Sequence, residues 1–306
     1  MKNLNLTSLC LLLTIVAFGQ QPPDWTQSMF NRALVNPAYV GSTENAQLFR
    51  QYRSWWEGHT SGAPTGNTFN FNMPIARWNS GIGVKLAAGK QGDHKIYEIA
   101  IAYAYTVKIR GSLLSMGIET GVLGYRFGNF WKKANNVVVA HSMGPFDLRN
   151  VYKFNNSAGV YYKRNNFYAG LASQQLTNID LREQKEPNFR LFDLLHQHNA
   201  LVGYQMHLNS KLSFEPYSLI RVNYIYSSID LVTNFNIRNT YFFGTGYRVR
   251  DAMLFFAGIK KGPLRAGYSL DLSTSKLASL TTSYHEVLVS YSWAKRLKNR
   301  PYIGPL

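Results

Sequence analysis

The sequence predicts an all-β chain: a transmembrane antiparallel β-barrel of about 14 strands (12–14) with an N-terminal plug-like segment. Three observations predict it. Apolar and polar residues alternate with period two over many stretches of about ten residues, which puts one face of each strand toward lipid and the other inward. No stretch after the first twenty residues approaches the roughly 18 unbroken apolar residues of a spanning helix. The composition is 45% hydrophobic and 14% aromatic but only 16% charged, against about 25% in soluble domains, which argues against both a soluble enzyme surface and a disordered chain.

Residues 1–19 read as a secretory signal peptide. Lys2 supplies the positive start, residues 9–18 the apolar core, and Ala17, Phe18 and Gly19 the cleavage site. The single cysteine, Cys10, lies inside this leader, so the mature chain has no disulfide, metal thiolate or cysteine nucleophile. Export also argues against a nucleic-acid partner as the reason for the formal charge of +17. Residues 20–43 lack strand alternation and contain Pro22, Pro23 and Pro37 beside Trp25, Met29, Phe30, Leu34 and Tyr39. They are too apolar for a solvated tail and are read as a periplasmic or lumenal segment.

The barrel itself is assigned to residues 44–294. In the stretch 97–110, Tyr97, Ile99, Ile101, Tyr103, Tyr105, Val107 and Ile109 share one face, and Glu98, Ala100, Ala102, Ala104, Thr106 and Lys108 the other. Residues 264–273 and 286–293 repeat this phase, which turns Arg265, Asp271 and Glu286 inward, as Arg248 is on its own strand; these four form a candidate charge network in the lumen. Strand cores are expected at 46–56, 67–75, 81–89, 96–109, 112–125, 156–163, 167–174, 197–207, 211–222, 226–237, 240–249, 252–260, 264–273 and 284–293. Alternate connections are short and carry Arg77, Arg110, Arg164, Lys211, Arg238 and Lys261, a basic rim expected on the periplasmic side. The opposite connections include the stretches 58–66, 128–155 and 175–197. Residues 295–306 form a basic periplasmic tail with Lys295, Arg296, Lys298 and Arg300.

Catalytic chemistry finds little support. His196 and His198 share a strand face but have no third metal ligand beside them. Contiguous residues of Ser283-Tyr284-His285-Glu286 point alternately along one strand and cannot by themselves form a nucleophile, base and orienter. The glycines of residues 81–83 and 244–246 have no following helix to cradle phosphate and read as places where side chains must be small. The pair Trp55 and Trp56 reads as a membrane-interface anchor. No catalytic residue, metal site or cofactor is expected.

Several stretches carry a family resemblance: Asn36-Pro37-Ala38-Tyr39-Val40-Gly41-Ser42, Arg53-Ser54-Trp55-Trp56, Gly246-Tyr247-Arg248, Gly267-Tyr268-Ser269-Leu270-Asp271 and Tyr284-His285-Glu286. Together they resemble the PorP/SprF family of type IX secretion system membrane proteins, and Asn36, Pro37, Arg53, Trp56, Asp271, His285 and Glu286 are the positions that match its motifs. The resemblance implies a non-enzymatic outer-membrane component that supports export or surface attachment of an adhesin-type cargo, gliding adhesins being the best-known case. The implied partners are the type IX translocon and its periplasmic ring, a secreted adhesin with a C-terminal sorting domain, and outer-membrane lipid. The competing reading is a transport channel of fatty-acid-transporter type for small hydrophobic molecules.

Overall fold

The computed structural model describes residues 24–55, 63–92, 94–126, 151–177, 179–183, 186–194, 196–224, 226–275 and 283–293. The leader, Trp56 and the basic tail therefore lie outside the described residues. Strands run in chain order as β1 (Ala46–Trp55), β2 (Thr65–Ile75), β3 (Ser80–Gln91), β4 (His94–Ile109), β5 (Ser112–Arg126), β6 (Val151–Arg164), β7 (Phe167–Gln174), β8 (Ile179–Glu183), β9 (Glu186–Leu194), β10 (Gln197–Tyr204), β11 (Met206–His207), β12 (Leu212–Val222), β13 (Ser227–Ile237), β14 (Tyr241–Arg248), β15 (Ala252–Lys261), β16 (Leu264–Ser273) and β17 (Ser283–Trp293).

Antiparallel neighbours pair in sequence order around a closed barrel of 14 strands, with β10 and β11 together forming one of them against β12. The seam closes where β1 pairs with β17, from Ala46 opposite Trp293 to Trp55 opposite Tyr284. The expected strand positions hold throughout. Two differences stand out: β6 starts five residues earlier than alternation indicated, and the polar stretch after β7 contains the separate hairpin β8–β9, whose abundance of charged residues gives no barrel-like pattern.

Alternation sorts the side chains as the physics of a barrel in lipid demands. On β4, Ile99 and Ile101 are about 60% exposed, at 58% and 61%, whereas Ala100, Ala102 and Ala104 are buried inward. One rim carries only turns of two to four residues. Several of these place Asn79, Arg110, Asn165, Arg238 or Asn239 at positive φ, the backbone that tight hairpins need. The other rim carries the longer connections 56–64, 127–150 and 175–196. Short turns on one rim and long loops on the other match the pattern in which outer-membrane barrels keep their short turns on the periplasmic side, and the rims are named inner and outer on that pattern.

The core sits inside the barrel. Residues 24–42 enter the lumen as three 3₁₀ turns, η1 (Thr26–Met29), η2 (Arg32–Leu34) and η3 (Pro37–Tyr39), and Trp25, Met29, Phe30, Ala33, Leu34, Val35, Ala38, Tyr39 and Val40 join one apolar cluster with the inward faces of the strands. Helical turns this short leave backbone groups that only the wall can satisfy.

Candidate functional site

The lumenal segment crosses the barrel from the long-loop end to the short-turn end. At the first, Asp24 accepts hydrogen bonds from Arg221 Nε at 2.6 Å and from the Tyr226 hydroxyl, in an outer turn, at 3.2 Å. At the second, Gly41 lies against Gly81 at the start of β3, so close that neither position has room for a Cβ. The intervening chain is held in two different ways.

Toward the outer end it is held by charge. Arg53 on β1 is fully buried and bridges Asp271 Oδ2 at 2.6 Å and Glu286 Oε2 at 3.1 Å. The register that closes the barrel sets Arg53 opposite Glu286. The same carboxylates receive the lumenal backbone: Thr26 N–H and Gln27 N–H donate to Glu286, and the Thr26 hydroxyl donates to Asp271 at 2.6 Å. Gln51 donates to Glu286 and accepts from Asn31, tying the start of η2 to β1. Beside this group, Arg248 reaches Asp230 at 2.9 Å and Asp271 at 3.4 Å, and Arg221 binds Asp230 through both terminal nitrogens. Every charge is matched at close range, which is what makes ionised burial tolerable.

Toward the inner end the segment is held mainly by shape, with one ion pair. Asn36 caps η3 by accepting from Ala38 N–H and sends its amide to the Val160 and Leu171 carbonyls of the wall. A Cβ on Gly117 would stand 2.5 Å from the Ala38 Cα, so η3 can lie flat on β5 only over glycine. Arg32 stacks over Tyr168, 3.7 Å from its ring centre, and pairs with Glu215 at 2.6 Å, to which Tyr168 also donates.

Of the four residues expected in one lumenal network, Arg248, Asp271 and Glu286 come together, joined by Arg53. Arg265 does not. It lies over the rings of Phe30 and Phe242, because strand phase fixes the face but not the height, and six residues separate it from Asp271, about 20 Å along a strand. Among the motif positions, Asn36, Pro37, Arg53, Asp271 and Glu286 all line the contact between segment and wall, whereas His285 faces outward beside Tyr268 and Ser283. Trp55 is not an interface anchor: it turns inward, edge-on to Trp25.

Asp24, Arg221, Asp230, Arg32, Glu215 and the triad of Lys85 with Glu98 and Glu119 are absent from the sequence expectation. For the strand residues among them the signal was an ionisable residue on the inward phase, whereas Asp24 and Arg32 lie in the lumenal segment, where no strand phase marks them. Arg77, Arg110, Arg164, Lys211, Arg238 and Lys261 are all exposed at the short-turn rim, whose turns contain no Asp or Glu. At the opposite mouth, Asp251 is partly buried, and that burial raises its carboxyl above the ordinary range despite the nearby Arg248. His198 shares a hydrogen bond with Ser173 on the outer wall, and the described residues contain no cluster of three metal-ligating side chains. A groove of about 850 Å³ between Met116, Val160, Leu171 and Ile220 opens on the outer wall, away from the lumen.

Solved barrels share this architecture at very low sequence identity. The toluene transporter TbuX of Ralstonia pickettii superimposes with a TM-score of 0.53 at 10% identity, covering 86% of this chain and 93% of the transporter. The toluene transporter TodX of P. putida gives 0.51 at 8% identity, over 86% and 94%. These likenesses establish the fold. No curated protein sequence matches the chain. The family model for the type IX secretion system membrane protein PorP/SprF matches residues 17–291, and with nearly its whole length covered the chain belongs to that family.

Proposed function

We propose that this chain is a non-enzymatic outer-membrane component of type IX secretion that docks periplasmic secretion machinery and supports export or surface attachment of an adhesin-type cargo. It reaches the outer membrane through its N-terminal signal peptide. Family membership supports the system; the observation that carries the docking role is the ring of Arg77, Arg110, Arg164, Lys211, Arg238 and Lys261, exposed on one rim whose turns have no acid. Six like charges around one mouth attract an acidic periplasmic partner, steer its approach and make its hold sensitive to salt. The tail from residue 295 adds to the same charge. Arg53, Asp271 and Glu286 serve this function indirectly, by fixing the segment that closes the lumen.

The transport reading finds less support. A channel for small hydrophobic molecules needs a continuous apolar path, and the lumenal segment fills the barrel with ion pairs and packed rings. Reversing Arg77, Arg110, Arg164 and Arg238 together to Glu tests the docking role. Periplasmic partners should no longer co-purify while the barrel keeps its heat-modifiable gel mobility; unchanged co-purification would sink the proposal.

A further inference from the structure

A barrel wall in lipid should present uncharged side chains outward, and among the described residues this one does so with a single exception away from the rims. Arg50 is the fifth of the ten residues of β1. Its inward neighbours Phe49 and Gln51 are buried, and it is itself exposed on the outer face. Among the described residues of the barrel it is the only Asp, Glu, Lys or Arg on the outward phase that lies more than two residues from a strand end. In register it is flanked by Val289 on β17 and Phe69 on β2. A cation at such a position is disfavoured by hydrocarbon, and the cost is greatest near the middle of the wall.

The guanidinium does not turn to the nearer, short-turn rim. It donates from Nη2 to Asn67 Oδ1 at 2.9 Å, and Asn67 stands opposite Tyr52, further up the wall. Among the described residues Arg50 therefore has a neutral partner only, at a point where water does not compensate for the missing counter-charge. The wall around it is also polar. Ser54 lies opposite His285, which hydrogen-bonds Tyr268 on β16 and Ser283. On β4, by contrast, the outward series Tyr97, Ile99, Ile101, Tyr103, Tyr105 has no charged member and no amide.

We propose that the outer face of β17, β1 and β2, centred on Arg50 and Asn67, is an interface within the membrane for a different membrane protein that presents a carboxylate to the guanidinium. The charge selects this occupant. A second copy of the chain cannot supply the acid, because no Asp or Glu among the described residues lies on the outward phase of the barrel, and a two-fold contact would set Arg50 near its own copy. A lipid phosphate sits at headgroup level rather than beside the middle of β1. The inference goes beyond periplasmic docking and does not depend on it, since it uses the wall and not the rim.

The test places a photoreactive phenylalanine analogue at Tyr52, next to Asn67, and at Leu171 on another part of the wall, in cells expressing the full chain. Irradiation should yield one protein adduct from position 52 and none from position 171, the adduct falling at least tenfold with Arg50→Glu and persisting with Arg50→Lys. Arg50→Leu should lose the adduct yet keep the heat-modifiable mobility of the purified barrel. No adduct, adducts with lipid or with a second copy only, indifference to Arg50→Glu, or loss of barrel assembly with Arg50→Leu would each overturn the proposal. Loss of periplasmic partners in the rim variant would leave this outcome unaffected, so the two readings fail separately.

Discussion

The outer and inner halves of the lumen hold one continuous segment by opposite means. Around Arg53, Asp271 and Glu286 the wall offers charge, and the segment answers with backbone N–H groups and a hydroxyl. Around Gly81 and Gly117 the wall offers bare backbone, and the segment answers by lying flat on it. Charge pairing resists partial opening, because removing one partner strands the others in a dry interior. Close packing resists it only through contact area, which falls off smoothly as the surfaces part. The half that faces the long loops is therefore locked by a network of ions, while the half that faces the basic rim is held by close fit and a single ion pair, Arg32 with Glu215. If the lumenal segment moves during function, its inner end moves first.

Variants can break this comparison in order of expected effect. Arg53→Ala leaves Asp271 and Glu286 buried without their shared cation and should cost about 3–5 kcal/mol, read as a lower urea midpoint for the heat-modifiable form. Replacing Arg53, Asp271 and Glu286 together by Met, Leu and Leu should recover little of that loss, because the Thr26 and Gln27 N–H groups then lose the carboxylate that accepts them; full recovery would show that the network is no more than compensated charge. Gly117→Leu forces η3 off β5 and should cost about 1–3 kcal/mol, with increased labelling of a cysteine placed at Ala38 by a periplasmic thiol reagent. Asn36→Ala removes the η3 cap and its hold on the wall, at about 1 kcal/mol. Asp251→Asn should change stability by no more than about 0.5 kcal/mol. Because burial raises the folded-state pKa of Asp251, its ionised form is the disfavoured one. The amide should thus be slightly stabilising at neutral pH, with the gain fading as pH falls through that raised value.

Much of the barrel was legible because lipid imposes a strict rule. Most residues on the outward phase of β4 and β17 are apolar, so Ile99, Ile101, Val287 and Val289 betray the strands without help from tertiary contacts. The lumen follows no such rule. Its faces accept Ala, Gly, Asn and paired ions alike, so phase told that Asp271 and Glu286 turn inward but not which cations they meet. Arg265 shows the limit: it shares the phase of Asp271 yet sits a strand's length away beneath Phe30. Arg221 and Asp230 could have been noticed as inward charges on β12 and β13, but pairing them needed the register that sets their strands side by side. The path of residues 24–42 was open to prediction only as an apolar segment, since its course depends on where glycine in the wall lets it pass.

The central claim, that this barrel works in type IX secretion rather than as a channel, is tested most directly by mass spectrometry of surface and culture-medium proteins from cells with and without the gene. The account predicts loss of one or a few large adhesin-like proteins from the surface, or of type IX cargo as a class. An unchanged set of surface and secreted proteins would contradict it and restore the transport channel as the better reading.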